Sequence, residues 1–125
     1  MNPLIDDAKP IFVQIAERIE DDILTGRLPE DSQIPSTNQF AAFYQINPAT
    51  AAKGVNLLVD EGILYKRRGI GMFVSPGARE QILLKRKNQF YEQYVLAMMR
   101  EAEKLGIGAE ELVQMILKGK DDLRA

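Results

Sequence analysis

Apolar residues recur every three or four positions in three stretches of the first sixty residues, which predicts three amphipathic helices. The first runs from Pro10, which suits a first helical turn, to Gly26, which suits the position just past a helix end. The second starts at Ser36 in a capping-box sequence, and the third starts at the N-cap pair Asn47-Pro48 and stops near Gly62. A turn of about four residues joins the last two helices, so the pattern predicts a helix-turn-helix.

Two short apolar runs after the third helix predict a β-hairpin. Ile63-Leu64-Tyr65 forms the first predicted strand and Met72-Phe73-Val74 the second, and Arg67-Arg68-Gly69-Ile70-Gly71 forms a basic, glycine-containing turn. Pro76-Gly77 marks the end of this unit. The sequence therefore predicts a mainly α fold with a small β-hairpin, in which a winged helix-turn-helix at residues 1–75 precedes a helical tail at residues 76–125.

The tail pattern predicts one uninterrupted helix from Ala78 to about Leu105, ~40 Å long at 1.5 Å per residue, and then a short last helix after Gly106-Ile107-Gly108. Two adjacent apolar stripes make its face wider than a simple two-stranded seam. A second copy of the chain is the simplest cover for such a face, although a ligand pocket lined by its tyrosines and methionines is the alternative. The predicted dimer contacts are Leu84, Tyr91, Tyr94, Val95, Met98, Ala102, Leu105, Leu112 and Ile116.

The composition of the 125 residues narrows the function classes. The chain has no cysteine and no histidine, which removes the commonest nucleophile–base pairs and metal ligands, so we expect neither an enzyme nor a metal or cofactor site. No apolar run approaches a membrane span, and no signal peptide is recognisable, so we expect a cytoplasmic protein without a membrane partner.

The net charge of −2 hides an uneven distribution. Residues 1–52 carry 3 basic and 8 acidic side chains, whereas residues 53–87 carry 8 basic and 3 acidic ones. A concentration of positive charge in one segment is expected if one face meets phosphates, and an ordinary basic loop is the alternative.

Six short motifs follow one another over residues 10–75. They are Pro10-Ile11-Phe12-Val13-Gln14-Ile15, Gly26-Arg27-Leu28, Ile34-Pro35-Ser36, Asn47-Pro48-Ala49-Thr50, Glu61-Gly62-Ile63-Leu64 and Arg68-Gly69-Ile70-Gly71-Met72-Phe73-Val74. In order and spacing they resemble the GntR-type transcriptional regulators, and the short helical tail is similar to the YtrA-like subfamily. The resemblance implies a repressor that binds a palindromic operator in double-stranded DNA as a homodimer, and it leaves a small-molecule effector open.

The resemblance also implies the DNA contacts. A recognition helix presents its N-terminal turns to base edges in the major groove, and a glycine-tipped hairpin can approach the backbone or the minor groove. Three positions depart from the family pattern, because Ile34 stands where a leucine is usual, Asn38 where an arginine is usual and Ile70 where a lysine is common. The predicted DNA-binding residues are Ser36, Thr37, Asn38, Asn47, Pro48, Ala49, Thr50, Lys53, Arg67, Arg68 and Gly69.

A protein-interaction module that does not bind DNA is the second hypothesis. The acidic net charge favours it, whereas Lys53 and the Arg67-Arg68-Gly69 turn disfavour it.

Overall fold

Six α-helices, one π-helical segment and one β-hairpin form the secondary structure of residues 8–125, the part of the chain that this computed structural model describes. Residues 1–7 of the predicted winged helix-turn-helix at residues 1–75 lie outside the described residues. In chain order the elements are α1 (Ile11–Leu24), α2 (Thr37–Tyr44), α3 (Pro48–Asp60), β1 (Leu64–Arg67), β2 (Gly71–Val74), α4 (Ala78–Phe90), the π-helical segment (Tyr91–Val95), α5 (Leu96–Lys104) and α6 (Ala109–Arg124).

Local capping chemistry sets the ends of the first three helices. Pro10 is the N-cap of α1 rather than its first residue, and its carbonyl oxygen accepts hydrogen bonds from the N–H groups of Val13 and Gln14. α1 and α3 each end before a glycine in the left-handed conformation, Gly26 at φ +83° and Gly62 at φ +78°. Both glycines were predicted helix stops, and both adopt a backbone conformation that side chains disfavour.

The hairpin begins and ends slightly differently from the prediction. Ile63 lies just before the ladder rather than in the first strand, although its side chain is fully buried and its carbonyl oxygen accepts from the N–H of Ser75 at 2.9 Å. At the other end, Arg67 pairs with Gly71, so the turn contracts to residues 68–70. The longer ladder leaves only these three residues at the tip of the wing.

One apolar core joins α1, α2, α3, the hairpin and the start of α4. Ala78 and Ile82 are fully buried in it, so the winged helix continues past Val74, where the sequence predicted it to be nearly complete. The chain accordingly divides into two compact units after Leu84. The assignment of residues 1–75 to DNA binding and of residues 76–125 to dimerisation stays a prediction. The largest fully buried side chains of this core are Ile15, Ile19, Val55, Leu58, Ile63, Leu64, Val74 and Ile82.

Gly54 allows α3 to pack closely on α1. A Cβ atom at this position would lie 2.7 Å from the carbonyl oxygen of Phe12 and 3.1 Å from the side chain of Ile15. The first distance is shorter than real Cβ contacts, and the obstructing atom is backbone, which cannot swing aside as a flexible side chain does. The missing side chain therefore sets how near the two helices come.

Two predictions for the helical tail are wrong in the second unit, Lys85–Ala125. The long tail helix is not uninterrupted, because Tyr91–Val95 is π-helical. A π turn adds about one residue to the helix and rotates the residues after it by about 100°. Apolar residues at helical spacing before and after the segment therefore do not lie on one face. The last helix, predicted as short, has 16 residues. Within this unit only Ala102 is buried.

Gly54→Ala should lower the free energy of unfolding by about 1–3 kcal/mol, because the new methyl group must displace the backbone of α1. Alanine at an unobstructed helical site would instead stabilise the protein by about 1 kcal/mol, so the sign of the change is informative. Asn56→Ala, at an exposed position of the same helix, is the control and should be neutral or slightly stabilising. Urea unfolding followed by circular dichroism measures both, and a stabilised Gly54→Ala variant would contradict the close approach.

Candidate nucleic-acid interface

α2 and α3 form a helix-turn-helix joined by the three residues 45–47. Gln45 adopts the left-handed conformation at φ +56°, and the N–H of Ile46 donates to the carbonyl oxygen of Ala41 at 3.0 Å. This bond closes the C-terminus of α2 and redirects the chain into α3, which packs against both α2 and α1. The predicted motif is confirmed, with a turn one residue shorter than expected.

The N-terminal turn of α3 faces solvent. Asn47 caps the helix as predicted, since its Oδ1 accepts from the N–H of Ala49 at 2.8 Å. The NH₂ group of Asn47 makes no hydrogen bond within the described residues, so it can donate to a base or a phosphate. Pro48 and Ala49 are exposed, Thr50 is half-buried, and Lys53 is exposed one turn further on.

Lys53 is held in place by an aromatic ring that sequence reasoning missed. Its Nζ lies 4.2 Å from the ring centroid of Phe12 on α1, a cation–π contact. The two side chains line a shallow depression together with Ala49 and Asn56. An aromatic ring restrains the ammonium group without neutralising it, so the positive charge remains available to a phosphate. The contact joins residues far apart in the sequence, and no local pattern signals it.

The N-terminus of α2 carries the predicted capping box. Ser36 Oγ accepts from the N–H of Gln39 at 3.1 Å, and Gln39 Oε1 accepts from the N–H of Ser36 at 2.7 Å. The Ser36 hydroxyl therefore serves the helix with its oxygen and keeps its proton to donate elsewhere. Thr37 is half-buried and Asn38 is exposed. The capping role of Ser36 is confirmed, and a DNA contact by these three residues stays a prediction.

The wing presents its two arginines in different ways. The guanidinium carbon of Arg67 lies 5.1 Å from the ring centroid of Phe73, so this side chain packs on the hairpin. Arg68 is exposed in the turn and makes no hydrogen bond or ion pair within the described residues. Gly69 follows at φ +77° and adds no bulk beside it. Arg68 is thus the wing cation better placed to reach a phosphate.

The chain leading into α2 lies along the outer edge of β2 and extends the hairpin. The N–H of Ile34 donates to the carbonyl oxygen of Met72 at 3.0 Å, and Gln33 forms a bridge with Phe73. Gln33 Nε2 also donates to the carbonyl oxygen of Ile70 at 3.0 Å. The wing tip is therefore tied to the segment that positions the helix-turn-helix, a connection that the sequence did not predict.

A second side-chain contact fixes the middle of the wing. Tyr65 Oη donates to Asp31 Oδ1 at 2.9 Å, and the Tyr65 ring stacks on Phe73 with centroids 5.6 Å apart. The hydrogen bond to Asp31 and, after it, burial raise the pKa of the Tyr65 phenol. Because Arg67 packs on the same Phe73 ring, one row of contacts runs from Asp31 to the basic end of β1.

The hairpin carries its positive charge without acidic neighbours in sequence. No acidic residue occurs between Glu61 and Glu80, a segment that includes the three basic residues 66–68. On α1, by contrast, acidic side chains are paired: Glu17 with Lys9 at 3.0 Å, and Asp22 with two arginines at 3.8 and 3.9 Å. The acidic net charge of the chain therefore coexists with a basic wing.

The first predicted DNA-binding segment lies against the wing, at the residues that follow Arg67, Arg68 and Gly69. Ser36, Thr37 and Asn38 line one groove with Ile70 and Gly71 of the wing. The predicted α3 residues Ala49 and Lys53 line the separate depression beside Phe12.

Residues 8–125 contain no cluster of acidic side chains suited to a metal ion. None of the helices in that range has the length and apolarity to cross a bilayer.

Sequence comparison identifies relatives of this chain among transcriptional regulators. The profile of the family described as bacterial regulatory proteins, gntR family, matches residues 12–74. The repressor NagR of Bacillus subtilis is 38% identical over 74 residues, which are 59% of this chain and only 30% of NagR, so the chain spans less than a third of that relative. The repressor YtrA of the same organism is 26% identical over 115 residues, 92% of this chain and 88% of YtrA.

Solved structures give the same result. A GntR-family protein from Bacteroides thetaiotaomicron superposes with a TM-score of 0.77 at 35% identity, covering 90% of this chain and 98% of the other. The DNA-binding domain of AraR in complex with operator ORX1 superposes with a TM-score of 0.53 at 31% identity, covering 60% of this chain and 90% of the other. The predicted fold class is confirmed, and the chain belongs to the GntR family of bacterial regulatory proteins, with their winged helix-turn-helix.

Proposed function

We propose that this chain is a cytoplasmic transcriptional repressor that binds a palindromic operator in double-stranded DNA as a homodimer. The observation that carries the proposal is the pairing of an exposed α3 N-terminus beside Lys53 with a basic wing in a GntR-family chain. That the similar AraR domain is in complex with an operator supports DNA as the partner. That NagR and YtrA are named repressors supports repression as the outcome.

The contacts divide into two kinds. We assign base reading to the first turns of α3, where Asn47 and Thr50 offer small polar groups at the end of a helix that fits the major groove. We assign phosphate contacts to Lys53 and Arg68, whose charges are exposed and not paired with acidic groups within the described residues. Asn38 replaces the arginine usual in the family, so we expect fewer phosphate contacts and a shallower salt dependence than for relatives that have it.

The tail supports the dimer part of the proposal. In residues 85–125 one small residue, Ala102, is buried, while large apolar side chains remain exposed in a single copy. Exposed large apolar side chains in such number are unfavourable in water and usually mark an interface. A second copy is the occupant we propose, because two-fold pairing is the commonest assembly and matches a palindrome. The exposed large apolar residues of this range are Phe90, Tyr91, Tyr94, Met98, Met99, Leu105, Val113, Met115, Ile116, Leu117 and Leu123.

Arg68→Ala and Thr50→Ala should separate the two kinds of DNA contact. An operator is first selected from random duplexes with the wild-type chain, and affinities are then measured by fluorescence anisotropy over a range of salt. Arg68→Ala should weaken operator and random DNA alike and reduce the slope of log affinity against log salt by about 0.9. Thr50→Ala should cost about 1–3 kcal/mol on the operator and little on random DNA.

Lys118→Ala is the charge-matched control, since it removes one exposed positive charge from the tail. It should leave affinity and salt slope close to wild type. Absence of salt-dependent DNA binding by the wild type at low salt would reject the repressor proposal and favour the protein-interaction module.

Met98→Glu should convert the dimer to a monomer, because Met98 lies in the predicted seam and a buried, unpaired carboxylate is strongly unfavourable. Gln114→Glu adds the same charge at an exposed position on the side of α6 opposite Leu112 and should stay dimeric. Sedimentation at micromolar concentration gives the masses. The monomer should bind the full operator about 10²–10⁴-fold more weakly, since its two half-sites are no longer tethered. A wild-type monomer, or a Met98→Glu dimer, would contradict the proposed role of the tail.

A further inference from the structure

We propose that Ile70, at the tip of the wing, is a specificity-determining residue that selects A·T base pairs in the minor groove. The inference rests on the proposed DNA binding and deepens it, because it assigns the wing a preference for base composition. Ile70 was not among the predicted DNA-binding residues, although its position departs from the usual lysine of the family.

The position of Ile70 is the first observation. It is a large apolar residue with 61% of its surface exposed, and it lies in the three-residue turn between β1 and β2. Gly69 and Gly71 flank it in the sequence and have no side chains, so Ile70 supplies the apolar bulk of the tip. Single exposed apolar residues are common on protein surfaces, so exposure alone carries no function.

The restraint on this residue is the second observation. The N–H of Ile70 donates to the carbonyl oxygen of Arg67 at 2.9 Å, and its own carbonyl oxygen accepts from Gln33 Nε2 at 3.0 Å. A Cβ on Gly71 would lie 2.6 Å from the same Nε2 atom, so the glycine keeps room for that hydrogen bond. These contacts restrain the backbone of the turn at Ile70, so binding costs little further ordering of that backbone.

The charges around Ile70 indicate what it meets. Arg68 is exposed two residues before it, and the segment from Gly62 to Arg79 contains no acidic residue. An exposed cation beside an apolar tip matches a groove whose walls are phosphates and whose floor is base edges. The minor groove is narrower and its potential more negative at A·T-rich sequences than at G·C-rich ones, so it attracts Arg68 more strongly there.

The chemistry of the base edges gives the direction of the preference. A G·C pair places the guanine 2-amino group, a hydrogen-bond donor, in the minor groove, and an A·T pair places no amino group there. Isoleucine has no acceptor for that donor, so its approach removes water from the amino group and leaves it unsatisfied. The A·T pair lets the side chain reach the floor of the groove without that loss.

Inosine separates this contact from all others, because an inosine·cytosine pair keeps the major-groove edge of G·C and lacks the 2-amino group. We would scan the selected operator with G·C and inosine·cytosine pairs and titrate each duplex with the full-length chain. At the base pairs under the wing, wild type should bind A·T and inosine·cytosine alike and G·C about 5- to 10-fold more weakly. Ile70→Val should keep this ratio of A·T to G·C affinity. Ile70→Ser should reduce the ratio to below about twofold without changing the slope of log affinity against log salt.

Gln33→Met tests the restraint with a side chain of similar length that cannot donate to the Ile70 carbonyl oxygen. It should reduce the ratio although Ile70 itself is unchanged. Specific operator binding with the same ratio in wild type and Ile70→Ser would overturn the inference and leave the proposed function intact. Absence of specific DNA binding by the wild type would reject both.

Discussion

The close packing of α3 on α1 at Gly54 is the constraint on which the rest of the winged unit depends. Because no Cβ separates the helices, the backbone of α1 lies close to α3. At this distance the Phe12 ring on α1 contacts the Lys53 ammonium group on α3. The same packing buries Ala51 and Val55 on either side of the glycine. One missing side chain thus couples the core of the unit to the orientation of a charge on its surface.

The segment that leads into α2 pairs with β2 and stabilises the wing. A free two-stranded hairpin is only marginally stable in water, and here the chain entering α2 supplies a third edge. Asp31 and Gln33 both lie in this segment, where Asp31 accepts a hydrogen bond from Tyr65 and Gln33 donates one to the wing tip. The wing tip is therefore joined by hydrogen bonds to the segment that leads into α2.

Features whose chemistry is local in sequence were predictable. The capping box of Ser36 and the left-handed glycine after α1 depend on residues within one turn of each other, and the hairpin follows from two short apolar runs that flank a glycine-containing turn. The contacts of Phe12 and Gln33 were not predictable, because each joins distant segments and polar or aromatic residues at those positions have many other uses. The sequence also underestimated α6, whose polar end at residues 118–124 gave no apolar pattern although it continues the helix.

The π-helical segment Tyr91–Val95 has a consequence for how such chains diverge. A π turn behaves as a one-residue insertion inside a helix, so the gain or loss of a single codon there creates or removes it. That change would rotate the side chains of α5 by about 100° relative to α4 and replace the set of apolar residues offered on a given side. In the proposed dimer, duplicated copies of such a gene would in this way stop pairing with each other in one mutational step, while every residue of the winged helix stayed the same.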